Sequence, residues 1–154
     1  MRRSNTWTIR EGRPDDWAAI VEFNRLLAQE SEHKVLDPAV VTPGVKRMFA
    51  DATLGRYFLA EEDGRVIGQT MITYEWSDWR NGNLWWLQSV YVDQAHRGRG
   101  VFASLYRHIE ELARREAGVC GIRLYVEEHN RAAQAAYVAA GLTPAGYLVF
   151  EKTW

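Results

Sequence analysis

Apolar positions change their spacing several times along the chain, and each change of period marks an element boundary. Trp7 and Ile9 alternate with polar neighbours over residues 6–10, the pattern of a short strand. Pro14-Asp15-Asp16 then offers an N-cap, and Trp17, Ile20, Val21 and Leu27 follow at helical spacing, predicting a helix to about Gln29. A second, shorter helix is expected to start around Thr42-Pro43 and to carry Val45, Met48 and Phe49. Residues 57–62 and 66–76 flank Asp63-Gly64, a pair suited to a two-residue hairpin turn. Arg80-Asn81-Gly82 marks another tight turn before a strand over 84–92. Val101, Leu105, Ile109 and Leu112 share one face of a long helix over about 99–117. An apolar strand over 121–127, a helix over 130–140 closed by Gly141, and a last strand over 147–151 complete the chain.

The order β-α-α-β-β-β-α-β-α-β has helices between the later strands. It predicts an α/β domain with one mixed central sheet and helices on both faces. With no linker, repeat or low-complexity stretch, residues 1–154 read as a single domain.

Composition narrows the function classes. Hydrophobic residues at 47% and charged residues at 25% suit a soluble globular protein. A net charge of −1 supplies no field to draw the molecule to nucleic acid or to lipid headgroups, so neither is expected as a partner. Cys120 is the only cysteine, which excludes an intrachain disulfide and a Cys-rich metal site. His33, His96, His108 and His129 lie far apart with no ligand spacing, so no metal is expected. The first residues lack the apolar core of a signal peptide and no run is long enough to span a bilayer. A reduced, cytoplasmic protein is the expectation.

The sharpest chemical feature runs from Ser89 to Phe102, where a strand enters the turn Arg97-Gly98-Arg99-Gly100 and a helix starts at once. The first turn of a helix presents backbone N–H groups with no partner inside the helix. Glycines let an anion approach that backbone, and the macrodipole favours negative charge there. Arg97 and Arg99 add what reads as mobile positive charge. The constellation suits a pyrophosphate. A plain strand–loop–helix junction with solvated arginines is one competing reading. A dinucleotide fingerprint is another, because Gly98-x-Gly100-x-x-Ala103 fits its glycine pattern. That motif normally follows the first strand of a larger domain, and here it comes late. A phosphate loop of the P-loop kind fails, since no Gly-Lys-Ser/Thr follows.

Arg97-x-x-Gly100 also resembles the Q/R-x-x-G-x-G/A signature of the GNAT superfamily of N-acetyltransferases, with Phe102 where Gly or Ala is usual. A second stretch, Asn130-x-x-Ala133-x-x-x-Tyr137 followed by Gly141, is similar to the second motif of the same superfamily. Both occur in the expected order, and the resemblance covers most of the chain, least clearly before residue 57. It implies a GNAT fold, acetyl-CoA as co-substrate and transfer of the acetyl group to an amine. It further implies that backbone groups of Val90, Tyr91 and Val92 pair with the pantetheine arm, and that one amide near Val90 or Tyr91 holds the thioester carbonyl. Amides of Arg97, Gly98, Arg99, Gly100, Val101 and Phe102 would cradle the pyrophosphate. Asn130 would hydrogen-bond the pantetheine, and Ala133 would leave it room. Tyr137, four residues on and so on the same helix face, would protonate the departing thiolate. Members of the family often form homodimers.

On the acceptor side, the position that carries a glutamate in many relatives is Gln88, which cannot be a base. Glu75 is the preferred base or anchor, in a segment where Tyr74, Trp76 and Asp78 surround it; with Gln88 these form the expected acceptor site. Carboxylates among aromatic faces suit an ammonium group through Coulomb attraction and cation–π contact. A small cationic amine, acetylated by direct attack in a ternary complex, is the expected substrate. A non-catalytic acyl-CoA-binding module is the second reading.

Overall fold

The computed structural model of the protein describes residues 6–154. For residues 1–5 the reading of a missing signal sequence lies outside the described residues. Five strands form one sheet in the order β1-β2-β3-β4-β5: β1 (Trp7–Glu11), β2 (Arg56–Glu62), β3 (Arg65–Ser77), β4 (Gly82–Val92) and β5 (Val119–Arg123). The first four pair antiparallel, and β5 runs parallel to β4. Four helices accompany them: α1 (Trp17–Glu32), α2 (Pro38–Ala50), α3 (Val101–Arg115) and α4 (Arg131–Ala139). None is long and apolar enough to cross a membrane.

The two faces of the sheet follow from the two-residue side-chain period of a strand. Tyr57 and Leu59 of β2 pack with Ile20 of α1 and Val45 of α2. Their neighbours Phe58 and Ala60 turn the other way and join Ile72, Trp85 and Leu87 against α3. The buried side of α3 carries Val101, Leu105 and Ile109 four residues apart, which puts them on one stripe. The helices therefore cover both faces, as expected.

Several boundaries differ from the sequence reading for identifiable reasons. α2 begins at Pro38 rather than near Thr42, because Asp37 caps it by accepting a hydrogen bond from the Ala39 amide at 2.9 Å and Pro38 suits the first turn. Pro43 then sits inside the helix instead of opening it. β5 starts earlier and stops at Arg123, because its ladder with β4 ends at the pair Trp86–Arg123. The strand expected over 147–151 does not form: residues 143–154 pair with nothing in the sheet and are exposed. α4 ends as expected, with Gly141 at φ 93° and the Leu142 amide donating back to the Tyr137 carbonyl at 3.0 Å.

β3 and β4 pair with a one-residue slip. Gln69 faces Tyr91 and Met71 faces Gln88, so Ser89 and Val90 together oppose Thr70. This is a β-bulge, and Ser89 adopts φ 52° to make it.

Leu105 is fully buried between α3 and the sheet. Leu105→Ala removes packing there and is expected to cost about 2–5 kcal/mol of stability. Chemical denaturation measures it, and a loss below about 1 kcal/mol would contradict the placement of this cluster at the centre of the core.

Candidate active site

Beyond the pair Trp86–Arg123, β4 continues to Val92 with no strand on its β5 side. The chain after β5 diverges over 124–127, and a cleft of about 960 Å³ opens between them. Gln88, Ser89, Val90 and Val92 line one wall, Tyr125 and Glu127 the other. Residues at the start of α3 and at the end of α1 complete its lining.

The bulge decides what β4 presents to this cleft. The Ser89 carbonyl accepts from Gln69 Nε2 at 3.1 Å, and the Gln88 carbonyl accepts from Thr70 Oγ1 at 3.2 Å. Both carbonyls thus point toward β3. In a planar trans peptide the N–H points opposite the C=O. The Ser89 and Val90 amides therefore turn toward the opening, and neither residue has a cross-strand partner. Two successive N–H groups aimed the same way form an anion-favouring concavity. Gln69 is fully buried and is fixed in turn by donating to Asn24 Oδ1 of α1 at 2.8 Å.

At the other end, Gly98 (φ 73°) and Gly100 (φ 90°) take left-handed conformations that favour glycine. Nothing lies within 4 Å of where a side chain would begin at either residue, so the backbone is open to the cleft. Among the described residues, no hydrogen bond engages the amides from Gly98 to Ala103. The amide of Arg97 is an exception to the expected cradle, because it donates to the Gln94 carbonyl at 3.4 Å.

The two arginines are not mobile charges. Arg97 turns back on the strand, donating through Nε to the Val92 carbonyl at 2.9 Å and through Nη2 to Glu30 at 2.6 Å. The Tyr91 hydroxyl donates to the same Glu30 at 3.0 Å. Arg99 leaves the cleft and pairs with Glu62 at 2.9 Å. Hydrogen bonds to Glu62 from Arg99 first, and then from Thr6, hold this carboxyl down to about 2. His96, in the short 3-10 turn Gln94–His96, lies 2.7 Å from Asp93 and 3.2 Å from Glu62. These pairs clamp the turn to the ends of α1 and β2 and leave its amides to face the cleft. Glu62, Gln69 and Asn24 were not singled out from the sequence. A polar Gln69 inside the run Val66-Ile67-Gly68-Gln69-Thr70-Met71-Ile72 was the available signal.

The remaining expected cofactor residues divide. Val90, Val92, Arg97, Gly98, Gly100, Val101, Phe102, Asn130, Ala133 and Tyr137 all line the cleft. Tyr91 does not: it is buried, and its ring packs on Phe23 at 5.0 Å. Arg99 does not, being held by Glu62. Asn130 Oδ1 accepts from the Ala133 amide at 3.1 Å and caps α4, so only its NH₂ is left for a ligand. Phe102 meets the Tyr137 ring edge-on at 5.4 Å and forms part of the wall while also packing against the core. Burial pushes the Tyr137 phenol up from its ordinary value.

The acceptor residues are more scattered than expected. Tyr74 points to the α3 core, packed edge-on against Trp85 at 6.5 Å, and so faces away from Glu75. Trp76 is mostly exposed, and Asp78 accepts from the Trp79 amide at the hairpin tip. Glu75 pairs with Arg123 at 2.8 Å and does not line the cleft. Only Gln88 of this group reaches the wall, its Nε2 donating to Thr73 Oγ1 at 2.6 Å. Trp86 and Tyr125, 5.7 Å apart, supply an aromatic surface at the β5 side instead.

Residues 17–142 match the sequence profile of the Acetyltransferase (GNAT) family. The chain is 41% identical to a possible acetyltransferase from Clostridium difficile 630, whose crystal structure superposes with a TM-score of 0.89 over 97% of this chain and 99% of that one. It is 25% identical to the thialysine N-epsilon-acetyltransferase of Bos taurus, aligned over 86% of this chain and 82% of that protein. An aminoglycoside acetyltransferase from an uncultured soil sample, 14% identical over 98% of both chains, shares the fold with a TM-score of 0.79. These likenesses favour an enzyme over a binding module without turnover. The strand that splits from its neighbour and the glycine turn that follows it are features of one family, and the chain belongs to it: this is a GNAT acetyltransferase.

Proposed function

We propose that the protein transfers the acetyl group of acetyl-CoA to the primary amine of a small cationic molecule, both being bound together. One observation carries this reading: a single cleft, lined also by Tyr137, has open amides from Gly98 to Ala103 and outward-facing amides of Ser89 and Val90. The first set fits two linked phosphates at a helix N-terminus. The second fits an oxygen that gains negative charge during acyl transfer. When bound, acetyl-CoA supplies an activated acetyl group on sulfur.

The rest follows from the chain's own groups. An N–C bond forms and the C–S bond breaks, so the neutral amine loses an N–H proton to water in the cleft while the sulfur gains one from Tyr137, which water then reprotonates. Val90 N–H donates to the carbonyl oxygen as its charge grows. Tyr137 donates its phenolic proton toward the departing sulfur, and the raised pKa keeps that proton in place at neutral pH. Glu75, the expected base or anchor, takes neither role in this reading, since its carboxylate is shared with Arg123 and stands off the cleft wall. The aromatic pair Trp86 and Tyr125 favours a cation through the ring faces. The distant bovine relative, named for an amine of an amino acid side chain, supports an amine acceptor.

An amine-panel assay reading release of free coenzyme A tests the proposal, and tight binding of acetyl-CoA without turnover on any amine would overturn it. On a hit, Tyr137→Phe is expected to lower kcat by about 10²-fold with little change in KM for acetyl-CoA. In the wild type, kcat rises as the amine deprotonates and does not fall again below about pH 10, where an ordinary phenol titrates. Full turnover in Tyr137→Phe removes its role as acid. Glu75→Gln is expected to leave KM for the amine and the shape of the pH–rate profile unchanged; loss of an ionisation from that profile would make Glu75 the base after all.

A further inference from the structure

Among the described residues, and aromatic side chains apart, two polar side chains are fully buried: Gln69 and Thr70 of β3, at 0% and 1% exposure. A polar group in that place is costly unless it is hydrogen-bonded. Both direct a donor at the same feature. Gln69 Nε2 reaches the Ser89 carbonyl at 3.1 Å, and Thr70 Oγ1 reaches the Gln88 carbonyl at 3.2 Å, two successive carbonyls at the bulge of β4.

Gln69 is the more telling of the two. Its Nε2 also donates to Asn24 Oδ1 of α1 at 2.8 Å, while its buried Oε1 has no hydrogen-bond partner. A buried amide oxygen left unpaired is destabilising, and an apolar side chain of similar size would fill the space without it. The donor side of Gln69 explains why a polar residue stands there. The Ser89 carbonyl and the Val90 N–H belong to one planar peptide, so fixing the oxygen from behind fixes the direction of the N–H in front. Donation to the carbonyl also polarises the peptide and makes its N–H a stronger donor. In the proposed reaction that N–H meets the thioester oxygen.

Asn24 extends the arrangement to another wall of the cleft. It is half-buried and lines the cleft, as do Leu27, Ala28 and Ser31 of the same helix. Gln69 itself is not part of the lining. The chain Asn24–Gln69–Ser89 therefore runs from the α1 wall, through the core, to the amide on the β4 wall. We propose that Gln69, braced by Asn24, is a positioning residue for acyl transfer: it aims the Val90 N–H at the thioester oxygen and ties that aim to the seating of α1. The inference rests on the proposed acetyl transfer and goes beyond it, since the rate then depends on a side chain that touches no substrate.

Infrared difference spectra of the full chain loaded with acetyl-CoA labelled at the carbonyl carbon, with no amine present, read the thioester directly. A hydrogen bond to its oxygen lowers the carbonyl stretch below the value of free acetyl-CoA, and the wild type is expected to show that shift. Gln69→Met keeps the volume and removes the donor, so its stretch is expected to return toward the free value. Losing an oxyanion donor outright costs about 10²–10³ in kcat, so misaiming one is expected to cost at least about tenfold on an accepted amine. KM for acetyl-CoA is expected to stay within about twofold, because the contact tightens only as charge develops. Asn24→Ala, at a half-buried helix position that accepts alanine, is expected to move both readouts the same way by a smaller factor, and it decides the matter if Gln69→Met does not fold. Failure of acetyl-CoA to bind overturns the proposed function and this inference together. Where acetyl-CoA binds but no amine is turned over, the proposed function falls and the stretch alone decides the inference. A stretch equal in the wild type and the variants overturns the inference alone, as does a shifted stretch with kcat unchanged, or a fall in kcat with the stretch unmoved.

Discussion

The structure depends on a parallel pairing that stops. β4 and β5 hold each other from Asn83–Val119 to Trp86–Arg123, and then β4 runs on alone to Val92. Up to that point the pairing builds a sheet; past it, the same strand has main-chain groups with no neighbour. A backbone donor away from water is costly unless paired, so the second half of β4 is suited to a ligand that pairs as a strand would. The bulge at Ser89 sharpens this by turning two successive amides outward, and buried Gln69 and Thr70 hold the Ser89 and Gln88 carbonyls in place from behind. The cost of that arrangement is met inside the protein, through Asn24 of α1 and Thr70 of β3.

The glycine turn is fixed by a different device. Its arginines spend their charge on Glu30 and Glu62, and His96 sits between Asp93 and Glu62. The positive character that faces the cleft is therefore that of open amides at the start of α3. Side-chain charge stays on the back of the turn, where it anchors the loop to α1 and β2. An anion site made this way is preorganised, since little has to move when the ligand arrives.

Much of this was legible in the sequence. Period changes placed β2, β3, β4 and α3 because their buried faces obey a two-residue or a four-residue rule throughout. The glycine turn was legible because an anion site at a helix start needs glycines there, and the Asn130–Tyr137 stretch through its resemblance to the second motif of the family. The acceptor side was not. Tyr74 and Glu75 are adjacent in sequence but point to opposite faces of β3, so their proximity along the chain said nothing about a common pocket. The tethers of Arg97 and Arg99 were also hidden, because Glu30 and Glu62 lie 67 and 37 residues away. The strand expected at 147–151 does not form, because strand propensity alone supplies no partner edge for it to pair with.

The central claim is that open amides from Gly98 to Ala103 hold two linked phosphates. Calorimetric titration with coenzyme A and with pantetheine, which has the arm but not the pyrophosphate, tests it most directly. Several charge-assisted hydrogen bonds at about 1.5–3 kcal/mol each predict that coenzyme A saturates the protein and binds at least about 10²-fold more tightly than pantetheine. Equal affinities, or no saturation by coenzyme A, would contradict the account.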